Sequence, residues 1–331
     1  MRITYRMANN DDVEAMANFW SENSGWDIID SLEWRRRFTN TPFGDATVAV
    51  AFDDDEKKLI GQFVFIPIML SVRGKEVKAY RPFAPILHES LQTKFGIASL
   101  LTGQHPMLKM YKKVSDELSR QNVSLIYIVP DPRWSRVLQA FPFIMTHKFP
   151  LWTLALPLSN LFSLPADITI KKVDTSDPGI DKLWSHATQA YSSTIVRNSK
   201  TLSWKTSHGD FKIYAVYKQD EMIGLLTVVY KAKDLQWLIC DMITKDNDDS
   251  LRMTLTAACN KIQLENDAAE NSNGHIKKIA ILATPPIEKV VSQLGFVKNA
   301  YHFTLAIHPL EKNNIDKKEI APANWYISAN D

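Results

Sequence analysis

Apolar and polar residues follow one order in the first half of the chain, and the same order returns in the second. ITYRMANNDDVEAMANFW (3–20) alternates as a half-buried strand does, breaks at a polar turn, and then runs as an amphipathic helix ending on Trp20. ITIKKVDTSDPGIDKLW (168–184) does the same and ends on Trp184. LEWRRRFTNTPFGDATVAVAFDDDEKKLIGQFVFIPI (32–68) sets Trp34 before an apolar strand, a charged hairpin and a second strand opened by Gly61. LSWKTSHGDFKIYAVYKQDEMIGLLTVVY (202–230) keeps that order, with Trp204 and Gly224 in the matching places. Late in each half a short apolar run, LIYIV or IAILA, leads into a proline-opened stretch that closes on phenylalanine: PRWSRVLQAFPF (132–143) and PPIEKVVSQLGF (285–296). Four corresponding features in the same order predict an internal duplication.

Each repeat reads as a strand, one or two helices, three strands, a helix, a strand, a helix and a last strand. The central helix of the first repeat is PMLKMYKKVSDELSRQ (106–121). Pro106 suits the first helical position, and Met107, Met110, Tyr111, Val114 and Leu118 recur at spacings of three and four. Its counterpart is DSLRMTLTAACNKIQLEND (249–267), with Asp248 or Asp249 as the cap. The polar, proline-marked LPLSNLFSLPAD (156–167) separates the repeats, which places one domain at 1–158 and a second at 166–310. The remainder, 311–331, is polar and aperiodic and reads as a loosely held tail, in which Trp325 and Tyr326 are the residues able to dock. The fold class is therefore α/β (α+β): two tandem units, each a mixed, mostly antiparallel sheet flanked by helices.

Composition narrows the function without choosing it. A net charge of +2 gives no field that would favour nucleic acid. No apolar run approaches a spanning helix, and the N-terminus lacks a signal-peptide core. Cys240 and Cys259 are too few for a disulfide framework or a zinc site, and the eight histidines show no ligand spacing. These features predict a soluble, cytoplasmic protein without structural metal and without nucleic-acid or membrane partners.

The order of elements, the glycine-opened strand after a charged hairpin, and the late strand leading to Leu294-Gly295-Phe296 resemble the GNAT superfamily of acyl-CoA-dependent N-acyltransferases. Two such units resemble its tandem-domain members, with the second half degenerate. The resemblance implies an N-acetyltransferase that takes acetyl-CoA as acyl donor and a small-molecule amine, such as an amino sugar, as acceptor. It leaves two alternatives: an inactive ligand- or partner-binding relative, and a Fem-like aminoacyl transferase. The latter calls for a coiled-coil arm, and the chain has no long heptad run.

The family holds the CoA pyrophosphate on backbone N–H groups between the fourth strand and the next helix, in a loop written R/Q-x-x-G-x-G/A. Glycine is needed there because a side chain would keep the backbone away from the phosphates. Two segments match in part. Gln92-Thr93-Lys94-Phe95-Gly96-Ile97, after Leu87, opens on glutamine with its glycine one place late. Gly103-Gln104 stands directly before the helix. The corresponding stretch of the second half, CDMITKDNDDSLRM (240–253), has no glycine and several aspartates, which argues against CoA there.

For the base that frees the amine, the resemblance points to YRPFAPILHESL, which holds Tyr80, Arg81, His88 and Glu89. Asp241, closing the apolar strand WLICD, would suit a cleft between the halves or cap the following turn. Asp131 and Arg133 flank a strand end and fit either an acceptor site or a turn. The family's thiolate-protonating tyrosine has no counterpart after the fifth strand, where Tyr127 lies inside the strand itself. Arg35-Arg36-Arg37 reads as a solvated helix face or an anchor for a phosphate-bearing acceptor.

Overall fold

The computed structural model describes residues 2–83, 85–130, 134–207, 209–246, 248–268, 276–310 and 315–331, and for Ile97, Ser135 and Arg136 the backbone alone. In the first half the elements are β1 (Ile3–Met7), α1 (Val13–Asn23), α2 (Ser31–Phe38), β2 (Thr47–Asp53), β3 (Lys58–Val72) and β4 (Lys75–Pro82). They continue as β5 (Ile86–Leu87), α3 (Glu89–Lys94), α4 (Ile97–Leu101), α5 (Pro106–Arg120), β6 (Leu125–Ile128), α6 (Ser135–Leu138) and β7 (Met145–Ala155). The second half runs β8 (Ile168–Lys172), α7 (Gly179–Ala187), β9 (Ser193–Ile195), α8 (Ser199–Thr206), β10 (Phe211–Lys218) and β11 (Glu221–Lys231). It ends with β12 (Gln236–Thr244), α9 (Asp249–Ala268), β13 (Lys278–Leu282), α10 (Pro285–Gln293), β14 (Val297–Pro309) and β15 (Trp325–Tyr326). Both central helices form where the apolar spacing predicts them.

The chain forms two compact units, and neither is one continuous segment. The first comprises 1–69, 77–146 and 304–316; the second comprises 70–76, 147–303 and 317–331. In the first unit the sheet order is β1-β2-β3-β4-β6, completed by the last residues of β14. β1 and β2 pair antiparallel, as do β2 and β3, while β4 and β6 run parallel. The completing strand is antiparallel to β6, from Ala306↔Ile128 to Pro309↔Leu125. In the second unit the order is β7-β13-β12-β11-β10-β8, with one parallel pair, β12 and β13.

β3 is buried along almost its whole length, as its near-continuous apolar sequence requires of a strand covered on both faces. One side of the first unit's sheet carries α5, whose buried Met107, Met110, Tyr111, Val114 and Leu118 pack with Phe63, Phe65, Ile126 and Phe141. An aromatic cluster of Trp20, Trp34, Phe38 and Phe83 joins α1 and α2 to the exit of β4. In the second unit α9 and α7 pack on β11 and β12.

The expectation of a loose tail is corrected. Trp325 and Tyr326 are fully buried, β15 pairs in parallel with β9, and Trp325 Nε1 donates to the carbonyl of Ile320 at 3.0 Å. Two large aromatic side chains find apolar cover there, and that outweighs the polar letters around them. No helix among the described residues is long and apolar enough to cross a membrane.

Candidate active site

In the first unit, among the described residues, β4 and β6 pair through Ala79↔Leu125 and Tyr80↔Ile126 alone. Beyond Tyr80 the two strands are pulled apart by different partners. On the β4 side, Pro82 and Pro85 have no N–H to offer β6. Phe83 N–H donates to the carbonyl of Val64 at 2.8 Å, and His88 N–H to that of Ile60 at 2.9 Å. β5 then pairs with β3 through Gly61↔Leu87 and Gln62↔Ile86. β6 meanwhile is held along its other edge by β14.

The parting opens a cavity of about 340 Å3. Arg81, Pro82, Phe83 and Pro85 line it from the β4 exit, and Ile128, Val129 and Pro130 from the β6 exit. Phe63 and Tyr111 lie along it, and Trp134, Leu138, Phe141, Phe143 and Trp26 complete the wall. An apolar pocket with a few convergent polar groups is the general form of a small-molecule site.

One of those polar groups is a tyrosine that local sequence does not mark. The Tyr111 hydroxyl lies 3.0 Å from His308 Nδ1, and the two rings stack with centroids 5.9 Å apart. Tyr111 comes from α5 and His308 from the end of β14, 197 positions away in the chain. Burial raises the Tyr111 hydroxyl well above its ordinary range, so it stays protonated. A proton donor therefore lines the cavity, supplied by a helix before β6 rather than one after it.

The residues singled out in the sequence fall elsewhere. His88 caps α3: its Nδ1 accepts from Ser90 N–H at 3.2 Å and lies 2.8 Å from the Ser90 hydroxyl. Glu89 is exposed in the first turn of that helix. Leu87 is buried in β5, and Gln92 Nε2 donates to its carbonyl at 2.7 Å. Lys94 is exposed, its ammonium 5.8 Å from the centroid of the Phe95 ring. Gly96 precedes Ile97 at the start of α4, and Gly103 and Gln104 form the exposed turn before α5. None of these residues is in the cavity wall.

The two loop glycines differ physically. Gly103 has φ +71, a conformation that favours glycine whatever surrounds it. Gly96 has an ordinary φ of −78, and a Cβ there would meet nothing within 4 Å. The fold does not require a glycine at position 96. The N-terminus of α5 has its first donors committed: His105 Nδ1 accepts from Met107 N–H at 3.3 Å, and the His105 carbonyl accepts from Leu108 and Lys109. Burial lowers the His105 pKa.

Asp241 belongs to the second unit and stands apart from the others. Its carboxylate meets Arg197 Nε at 2.6 Å and Lys205 Nζ at 3.0 Å, and both cations also pair with Asp331. Burial alone would raise Asp241, but Arg197 and Lys205 outweigh it and hold the carboxyl at about 2. This is a closed buried cluster of two cations and two side-chain carboxylates rather than a base facing a cleft. β12 and β13 part after Ile239↔Ile281, and the C-terminal segment is bonded to the exit of β12. Tyr326 Oη donates to the Met242 carbonyl at 2.8 Å and Asn330 N–H to that of Cys240 at 3.0 Å. On the β11 side of β12, a void of about 10 Å3 lies beside Arg197 and Asp241, against α8, room for at most about one water.

Asp131 and Arg133 lie outside the described residues. Of the three arginines on α2, Arg36 pairs with Glu33 and Arg37 with Glu33 and Asp27.

No family model matches the chain, and no curated protein matches it by sequence. Solved structures do match its fold. One is a protein from Enterococcus faecalis V583 described as a "Probable N-Acyltransferase", with a TM-score of 0.68 at 12% identity over 94% of this chain and 73% of that one. A GCN5-related N-acetyltransferase from Anabaena variabilis gives 0.67 at 13% identity, again over 94% and 73%. Saccharomyces cerevisiae N-myristoyltransferase with bound myristoyl-CoA gives 0.56 at 12%, over 93% and 79%. The likeness is one of fold: this chain folds as the GNAT-type N-acetyltransferases and N-myristoyltransferases do.

Proposed function

We propose that the chain is an acyl-CoA-dependent N-acyltransferase with a single working site, in the first unit, acting on the amine of an acceptor molecule. The observation that carries this reading is the cavity opened where β4 and β6 part, with the protonated Tyr111 in its wall. The counterpart in the second unit supports a single site, since the C-terminal segment is bonded along β12 there through Tyr326 and Asn330.

In the proposed reaction the amine nitrogen attacks the thioester carbonyl. A C–N bond forms, the C–S bond breaks, the nitrogen loses a proton and the departing sulfur gains one. Tyr111 is the group we assign to protonate the sulfur, with His308 behind it to restore the proton. Gly96 is the position we assign to close approach of the CoA phosphates, because its lack of a side chain has no other reason in the fold.

Calorimetry with CoA and its acyl esters tests the reading. Saturable binding that Gly96→Trp weakens at least tenfold is the expected result; a folded protein that binds neither CoA nor any ester at millimolar concentration overturns it. With an acceptor in hand, Tyr111→Phe should lower kcat about 10²-fold while KM changes little, as loss of a general acid does.

A further inference from the structure

We infer that the second unit carries a separate site for a small amphiphilic carboxylate, a molecule with one carboxylate head and an aliphatic or aromatic body. The site is a groove of about 640 Å3, within the range of roughly 300–1,000 Å3 that small-molecule pockets span. It lies at the start of β13, the end opposite to the parting from β12.

The groove exists because β7 cannot continue along β13. Their ladder reaches Lys278↔Ala155, and Leu156 N–H donates to the Lys277 carbonyl at 2.8 Å. Pro157 has no N–H with which to extend it. The chain crosses to α9 instead, where Gln263 Oε1 accepts from Leu158 N–H at 2.8 Å. Asn260 holds Phe162 at both backbone groups, Oδ1 accepting from its N–H and Nδ2 donating to its carbonyl, each at 2.9 Å. One wall is therefore fixed by α9. The other is the turn from α10 into β14, at Leu294, Gly295 and Val297.

The lining selects the ligand. Leu154, Leu158, Phe162, Leu294 and Val297 supply apolar contact. Val297 is 67% exposed, and so in large part are Leu161, beside Phe162, and Leu264, beside Gln263. Apolar surface left uncovered in one place marks a binding site. Among the described residues, Lys277 and Lys278 are the only charged groups in the lining, and neither is in an ion pair, whereas Lys298 is held by Glu288 at 3.1 Å. An apolar body and an anionic head match such walls. The lining holds no arginine and no helix N-terminus, the features that favour a phosphate. The carbonyl end of α10 at Leu294 carries partial negative charge, which favours one charge over two.

The test is calorimetry on the full chain with octanoate, 1-octanol, octylamine, octyl phosphate and acetate. Octanoate should saturate a site that Lys277→Gln with Lys278→Gln weakens at least about fivefold, the sum of two exposed charges. Octanol, octylamine and acetate should bind more weakly than octanoate. Val297→Glu, which adds a carboxylate at an exposed position, should also weaken octanoate while the circular dichroism spectrum and urea midpoint stay unchanged. Octanol binding as tightly as octanoate overturns the anionic head, and tighter binding of octyl phosphate overturns the carboxylate. Octanoate binding that none of the three substitutions moves, or no saturable binding at millimolar concentration, overturns the site. The acyl-transfer reading rests on the first unit and is untouched by any of these results.

Discussion

Tyr111 and Asp241 are both fully buried, and their protonation states are opposite because their neighbours differ. Tyr111 has a histidine and aromatic rings around it, so burial dominates and keeps its proton on. Asp241 has two cations against it, so pairing dominates and keeps its proton off. A carboxyl held at about 2 adds stability that is complete above its unfolded value near 4, and that is lost as pH falls toward 2. The contribution is about 2 kcal/mol. Asp241→Asn leaves two buried cations sharing Asp331 and should cost about 3–5 kcal/mol. The urea midpoint measures that cost, and the acid limb of the wild-type stability curve between pH 4 and 2 should flatten in the variant. Neither role was legible in the sequence. Tyr111 read as one more apolar position on a helix face, and its partner lies on a distant strand. Asp241 was visible as a strand-end carboxylate, but Arg197, Lys205 and Asp331 are scattered over the second half.

Among the elements, the glycines near the starts of β3 and β11 were visible in the sequence, and the structure supplies their reason. A Cβ on Gly224 would stand 1.9 Å from Thr254 Oγ1, because α9 crosses β11 at that point. A Cβ on Gly61 would stand 3.1 Å from Leu87 Cδ2, an end that can move, and 3.2 Å from Ala51 Cβ, which moves only with its strand. Gly224→Ala should therefore destabilise by about 3 kcal/mol and Gly61→Ala by about 1, read as shifts in denaturant midpoint at constant slope. Helices followed from spacing because burial of one face is what their sequence encodes. The parting of β4 and β6 did not, since it depends on which strands pull on each. The short β5, α3 and α4 were likewise read only as loop, being too brief for a period to show.

For the whole molecule, the mixed, mostly antiparallel sheets flanked by helices could be read from the order of patterned segments. The composition of the compact units could not. The last residues of β14 complete the first unit's sheet against β6, while most of β7 belongs to the second unit. Strand exchange of this kind leaves no mark in local patterning, because a strand's letters report burial and not the identity of its neighbour. A fragment of residues 1–158 thus lacks the strand that covers β6. It should give poorly dispersed amide resonances and aggregate through the uncovered edge; a sharp, monomeric spectrum would contradict this account.

Pairing β6 with residues 306–309 also sets a schedule for the nascent chain. A ribosome adds about 5–20 residues per second, so the edge of β6 waits on the order of ten to forty seconds for its partner to be made. Early folding of the N-terminal half, the usual safeguard during translation, cannot finish. The apolar LIYI edge must instead be shielded, by a chaperone for example, until residues 306–309 have been made.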